Sequence, residues 1–387
     1  MSKNGFKIFD SDTHIGPHAD VLADYMSDSE KRRLDSWDEW KFIDPRNGHS
    51  MYTRYQRKFL RKLGEAEPAE EKKRTSRDQA KRKFADEEQL PRPQAEVDPA
   101  ERIKDMNREG VDVNLTLPSS WFGVFTADPD VELEAAMYRA YHRWMADYCG
   151  AYPSRIKGVI LVCFRDLENS LKELEKYAKE DWPLAAFVYA PSAVPLDHPA
   201  LNDVWAACQH HDLSVALHTF TASPPYAPGG QDTWNNHFLQ RCSAHSWCGQ
   251  RNTAALIGAG VMERFPKLRI APLEAGHSWL PFWMTRMDEH AQSHGAYMPP
   301  LKMKPSDYVR SGRYFQSIEM SEGETLTKQV IDIIGEDVLM YASDYPHRES
   351  WFPNSVDTVM AWDLPHQVKR KLFWDNALKY YARYSEN

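Results

Sequence analysis

Residues 6–17 read FKIFDSDTHIGP. An apolar, β-prone run gives way to Asp10, Asp12 and His14, and Gly16-Pro17 then breaks it. On a strand, Asp12 and His14 are two apart and face the same side. Seven further short apolar runs follow at 111–117, 156–163, 184–189, 214–218, 268–273, 313–318 and 338–343. They lack clean polar alternation, which suits strands buried on both faces of a parallel sheet. Helical patterns separate them at 99–109, 130–150, 166–180, 198–211, 249–264, 279–293 and 323–335, and 365–384 reads as further helix. Eight strands with intervening helices predict an α/β chain folded as a (β/α)8 TIM barrel. A doubly wound open sheet is the competing arrangement, but no GxGxxG follows the first strand.

The stretch 19–98 interrupts this rhythm and is far too long for a simple βα loop. It predicts a long insertion after the first strand, within one domain spanning 1–387. Its first part carries aromatics that can pack, and 61–90 is densely charged. That second part reads as a solvated helix or surface excursion, or alternatively as a lid or subunit-contact arm.

Composition narrows the function. The 387 residues hold 48 Lys+Arg against 56 Asp+Glu, a net charge of -8, so nucleic acid is an unexpected partner. No apolar run is long enough for a transmembrane helix, and MSKNGFKIFDSD has no signal-peptide core, so a cytoplasmic chain is expected. Five cysteines without CxxC spacing argue against a disulfide scaffold or zinc finger.

The informative residues fall at strand ends. Besides Asp12 and His14, the fifth strand ends in His218, the sixth leads into Glu274 and His277, and the eighth into Asp344 and His347. In a β/α barrel the active site lies at the carboxyl ends of the strands. A lone strand-end histidine is usually structural, but four strands delivering carboxylate or imidazole to one rim point to a divalent metal: zinc, manganese or iron. Such an ion activates bound water or polarises a substrate oxygen. The absence of thiolates at these positions disfavours a soft metal, and without a GxSxG elbow a serine hydrolase is set aside.

Five stretches resemble the amidohydrolase superfamily, in the branch of aminocarboxymuconate-semialdehyde and γ-resorcylate decarboxylases. They are DSDTHIGP (10–17), DPAERIKDMNREGVDVNLTLPS (98–119), PLDHPALNDVWAACQHHDLSVALHT (195–219), GVMERFPKLRIAPLEAGHSWLPFWMTRMDEH (260–290) and VLMYASDYPH (338–347). The resemblance implies Asp12, His14 and His218 as metal ligands and Asp344 as ligand or proton carrier. Asp12 stands where the family commonly has His or Glu, and a second carboxylate favours harder ions such as manganese or iron. Near the place of the family's proton-handling histidine stand Glu274 and, slightly beyond, His277. With Asp344 these are the candidate catalytic residues. Glu274, His277, His347 and His18 could hold a second metal or orient the ligands of the first.

The Pro-, Gly-, Trp- and His-rich stretch 219–252 is expected to wall the pocket. Trp121, Trp234, His237, Arg241, His245, Trp247, Arg251 and Arg348 are the candidate substrate contacts, the arginines for a carboxylate. Core packing, a subunit interface or ordinary surface charge would explain them otherwise. The expected activity is cleavage of a small, aromatic or unsaturated carboxylic acid, foremost by non-oxidative decarboxylation, with one divalent metal per chain. Metal-water hydrolysis, a dinuclear iron or manganese oxygenase and a non-catalytic partner subunit are the alternatives. A homo-oligomer is expected, and a hetero-oligomer is compatible.

Overall fold

The computed structural model of the chain describes residues 3–17, 19–36, 41–43, 50–52, 93–119, 130–188, 194–218, 230, 233–234, 237–347 and 350–386. Six strands form one parallel sheet in chain order: β1 (Phe9–Ile15), β2 (Val113–Pro118), β3 (Ile156–Leu161), β4 (Pro183–Val188), β5 (Ser214–Leu217) and β6 (Ile270–Pro272). Every residue of these strands is buried, as their unbroken apolar runs require. β7 (Gln316–Ser317) and β8 (Leu339–Met340) form a separate parallel pair. Single parallel bridges join Ile270 to Tyr314 and Thr13 to Tyr345, so this pair meets β6 on one side and β1 on the other. Hydrogen bonds from Phe315 N to Ile270 O (2.9 Å) and Ser11 N to Tyr341 O (3.0 Å) run along the same seams.

The helices between strands are set by local chemistry. Asp98 caps the helix Pro99–Glu109 through Ala100 N, Pro99 opens it, and Gly110 closes it at φ 89°. Asp130 and Asp166 cap Val131–Gly150 and Leu167–Tyr177 in the same way. The C-terminal segment pins two distant strands: Tyr380 Oη donates to Val215 O (2.7 Å) and Tyr381 Oη to Ser11 O (3.0 Å). Tyr381 also stacks on Phe9, with ring centroids 5.4 Å apart.

Some boundaries differ from those read in the sequence. The first strand, whose apolar run suggests 6–11, instead spans Phe9–Ile15 and carries Asp12 and His14 inside it. The seventh and eighth shrink to two residues each, continued only by single bridges. The helix read at 249–264 begins at His237, so the later half of the expected loop 219–252 is helical. Around the charged 61–90 stretch, residues 53–92 lie outside the described residues. Of 19–52, short helices Ala19–Asp24 and Asp28–Asp35 and an antiparallel pairing of Lys41–Ile43 with Ser50–Tyr52 are described. Among the described residues no helix is long and apolar enough to cross a membrane.

Candidate metal centre

β1 is held in place from behind. Thr13 Oγ1 donates to Leu115 O (2.7 Å) and accepts from Arg102 Nη2 (2.6 Å). The fully buried Arg102 also donates to His14 O (2.9 Å) and Asn114 Oδ1 (3.2 Å), and lies 5.2 Å over the Tyr345 ring. Asp10 accepts from Ser343 N (2.9 Å) and Ser343 Oγ (2.6 Å), tying β1 to the segment that delivers Asp344. Burial pushes the Asp10 carboxyl up to about 7, despite the hydrogen bonds from Ser343.

In front of this frame, three carboxylates converge on one imidazole. His14 Nε2 is 3.1 Å from Asp344 Oδ1, 3.3 Å from Glu274 Oε2 and 3.4 Å from Asp12 Oδ1. His218 Nε2 is 2.9 Å from the same Glu274 oxygen. His347 stacks on His14 at 4.0 Å and brings Nδ1 to 2.6 Å from Asp344 Oδ1. Glu274 and Asp344 reach the cluster with left-handed backbones, φ 46° and 61°, uncommon outside glycine.

The charges are mutually dependent. Burial disfavours a charged His14 ring, but Asp12, Asp344 and Glu274 together raise its pKa well above the usual imidazole range. Burial pushes Glu274 up, yet His245, His14 and His218 hold it well below the usual carboxylate range. Burial and the Glu274 charge also push Asp344 up, and His347 and His14 outweigh them to lower it. The cluster therefore demands a cation at its centre.

Its donor set fits a metal ion. Both ring nitrogens of His14, Asp12 Oδ1 and Asp344 Oδ2 are buried without an oriented hydrogen bond. Two overlapping groups place one ligand atom per residue within 4.8 Å of one another: His14, Glu274, Asp344 and His347, and Asp12, His14 and His218. Oxygen and imidazole donors suit manganese, iron or zinc.

The other sequence candidates divide. His245 joins the cluster, with Nδ1 2.9 Å from Glu274 O and 3.2 Å from Oε1, and Arg241 Nη1 lies 3.5 Å from the same Oε1. The structure does not bring His277 in. Its Nδ1 faces Glu322 Oε2 (2.8 Å) and accepts from Glu319 N (3.0 Å), while Nε2 meets Thr327 Oγ1 (2.9 Å). The reason is positional: the chain turns after Glu274, through Gly276 at φ 68°, so the residue three places on is buried among neighbours of β7. Trp247 and Arg251 face a separate cavity, and half-buried Trp234 accepts from Gln240 Nε2 through its carbonyl (2.8 Å). His18, Trp121, Arg348 and the His237 side chain lie outside the described residues.

One residue at the site escaped the sequence reading. Glu319 lines a small recess with Asp12, Glu274 and Asp344. Burial, then the like charges of Glu274, Asp344 and Asp12, pushes its carboxyl up to about 8. The signal was present: Glu319 follows the seventh apolar run as Asp344 follows the eighth.

The profile of the amidohydrolase family matches residues 84–383. The chain belongs to the amidohydrolase family. A γ-resorcylate decarboxylase from Polaromonas sp. (strain JS666 / ATCC BAA-500) is 25% identical over 294 residues, covering 71% of this chain and 85% of that protein. A 2-amino-3-carboxymuconate-6-semialdehyde decarboxylase from Dictyostelium discoideum is 25% identical over 263 residues, 64% of this chain and 67% of that one. The 5-carboxyvanillate decarboxylase of Novosphingobium aromaticivorans DSM 12444, solved with manganese and 4-hydroxy-3-methoxy-5-nitrobenzoic acid, shares the fold. Its TM-score is 0.67 at 20% identity, over 98% of this chain and 97% of that one. In this amidohydrolase the first strand, Phe9–Ile15, carries Asp12-Thr13-His14 toward its carboxyl end, and Glu274 precedes His277 in the turn after β6.

Proposed function

We propose that this amidohydrolase is a metal-dependent decarboxylase of a small aromatic or unsaturated carboxylic acid. The observation that carries the reading is the convergence of Asp12, Glu274 and Asp344 on His14, beside His218, at buried positions. The decarboxylases similar to this chain act on acids of that class, which favours decarboxylation over hydrolysis with the same ligands. We read the strand circuit as an eight-stranded barrel in one domain, with 19–98 inserted after β1, in a cytoplasmic homo-oligomer.

Asp12, His14, His218 and Asp344 would hold one divalent ion. When bound, that ion polarises a substrate oxygen or lowers the pKa of coordinated water. The chain's own groups handle the proton. When the carbon–carbon bond breaks, CO2 leaves and the electron pair stays on the substrate carbon, which then takes a proton. Asp344, paired with His347 within the cluster, and Glu319 beside it are the groups placed to supply it. Glu274, held ionised by His218 and His245, fixes the orientation of the imidazoles.

A dinuclear centre is the second reading, favoured by the two overlapping ligand groups that share His14. Elemental analysis of chelator-free protein separates the two by counting ions per chain. CO2 release from hydroxylated benzoic acids by manganese-loaded protein tests the main reading. Full metal loading with no CO2 from any such acid, but turnover of an ester, lactone or amide, would replace it with hydrolysis. Two ions and substrate-dependent oxygen consumption would replace it with oxygenation.

A further inference from the structure

The helix His237–Thr253 turns one face to the metal cluster, with Ala244, His245, Cys248 and Gly249 buried. The approach is close: a Cβ on Gly249 would stand 2.9 Å from Ala275 Cβ. Roughly half a helical turn around lie Trp247 and Arg251. They line a separate cavity of about 280 Å³, with Pro195, Leu196 and Trp283 on its other walls. None of these residues belongs to the carboxylate–imidazole cluster.

The cavity is chemically incomplete. Arg251 Nη1 is buried without a hydrogen-bond partner, and so is Trp283 Nε1. Among the described residues no carboxylate pairs with this guanidinium. Arg251 is half-buried, and a donor held out of water without an acceptor is costly. A guanidinium matches a carboxylate in a two-pronged hydrogen bond, and indole faces favour a flat apolar body. The volume is at the small end for ligand pockets and suits a one-ring acid.

We infer that this cavity is a second binding site, separate from the metal centre, for a small organic anion with a flat apolar body, of the aromatic carboxylate class. Arg251 takes the carboxylate, and Trp247 and Trp283, packed edge-to-face with centroids 6.5 Å apart, wall the ring. The inference stands on the cavity alone and does not depend on the proposed decarboxylation.

The test uses benzoate, titrated into the metal-loaded full chain and followed by calorimetry and tryptophan fluorescence. Arg251→Met is expected to weaken this binding about tenfold or more, since a charge-assisted contact is lost. Its metal content should equal that of the wild type. His218→Ala, which disables the metal centre, should leave the same binding in place. Trp247→Leu, at a partly exposed position, should also weaken binding, and serves if Arg251→Met does not fold. The inference fails if Arg251→Met and Trp247→Leu bind benzoate as wild type does. It also fails if His218→Ala alone abolishes binding, which would place benzoate on the metal. Finally, it fails if benzoate does not bind; a changed sedimenting mass of Arg251→Met would then make this face a subunit contact.

Discussion

Glu274 and Asp344 approach His14 from neighbouring sides of the strand circuit, each with a left-handed backbone, and set carboxylate oxygens 3.3 and 3.1 Å from the same Nε2. Two carboxylates this close to one buried ring tolerate each other only with positive charge between them. Glu274 also holds His218 at 2.9 Å. Glu274→Gln removes one negative charge and keeps the shape. Its divalent-metal affinity should fall about 10–100-fold, the usual effect of losing a ligand or its orienting partner. Competition with a chromophoric chelator measures this. Unchanged affinity would mean that Glu274 neither binds the ion nor orients His218.

Arg102 spends its guanidinium on the chain rather than on a carboxylate. It holds His14 O, Thr13 Oγ1 and Asn114 Oδ1 from a fully buried position. Arg102→Met strands three acceptors behind β1, so the fold should lose about 3 kcal/mol or more. Arg102→Lys should recover only part of this, because an ammonium cannot span the same fork. Urea unfolding of the three proteins checks both statements. Equal midpoints would show that β1 needs no such brace.

Glu109 gives the fold a pH dependence of predictable sign. Its buried carboxyl, pushed up to about 8 by burial and then by Asp10, accepts from Ser355 N (3.2 Å) and Ser355 Oγ. The folded state therefore prefers the protonated acid more than the unfolded state does, whose value stays near 4.5. The contribution is fully present below about 4.5 and is lost as pH rises through about 8. Wild-type stability should drop across that window by an amount on the order of a few kcal/mol, and Glu109→Gln should flatten the drop. Denaturant melts at pH 5 and pH 8.5 provide the comparison. Identical slopes with pH in both proteins would remove Glu109 as the cause.

What the sequence disclosed follows from what strands advertise. Buried parallel strands need continuous apolar runs, so β1 to β6 stood out, and side chains at their ends were visible as Asp12, His14, His218, Glu274 and Asp344. Strand-end position says little about a residue beyond a turn. His277, a catalytic candidate in the sequence, and His347 each stand three places beyond a strand-end carboxylate, yet one is locked against Glu322 and Thr327 while the other stacks on His14. The helix His237–Thr253 was hidden at its start because its inward face is Ala, His, Cys and Gly rather than large aliphatic residues. An inner face of small residues carries only a weak 3.6-residue apolar period. Arg102 was invisible for the opposite reason: an arginine in an amphipathic helix reads as solvated until its partners His14 O and Thr13 Oγ1 on β1, and Asn114 on β2, are seen.

The same electrostatics fixes how metal binding must depend on pH. Three carboxylates hold the His14 imidazole well above its ordinary value, against the effect of burial. In the metal-free protein at neutral pH that ring therefore carries the positive charge the cluster demands. An ion can use His14 Nε2 only after the proton leaves, so binding and proton release are one event. Metal affinity should rise with pH from below neutrality, approaching about tenfold per pH unit while one proton is exchanged per ion, and level off above the raised His14 value. Calorimetric titration with manganese at pH 7, in buffers of different ionisation enthalpy, counts the protons directly. About one proton per bound ion is expected for wild type and close to none for His14→Gln, which should also bind the ion weakly. Proton release that persists unchanged in His14→Gln would assign the displaced proton to another group, and would take His14 off the metal.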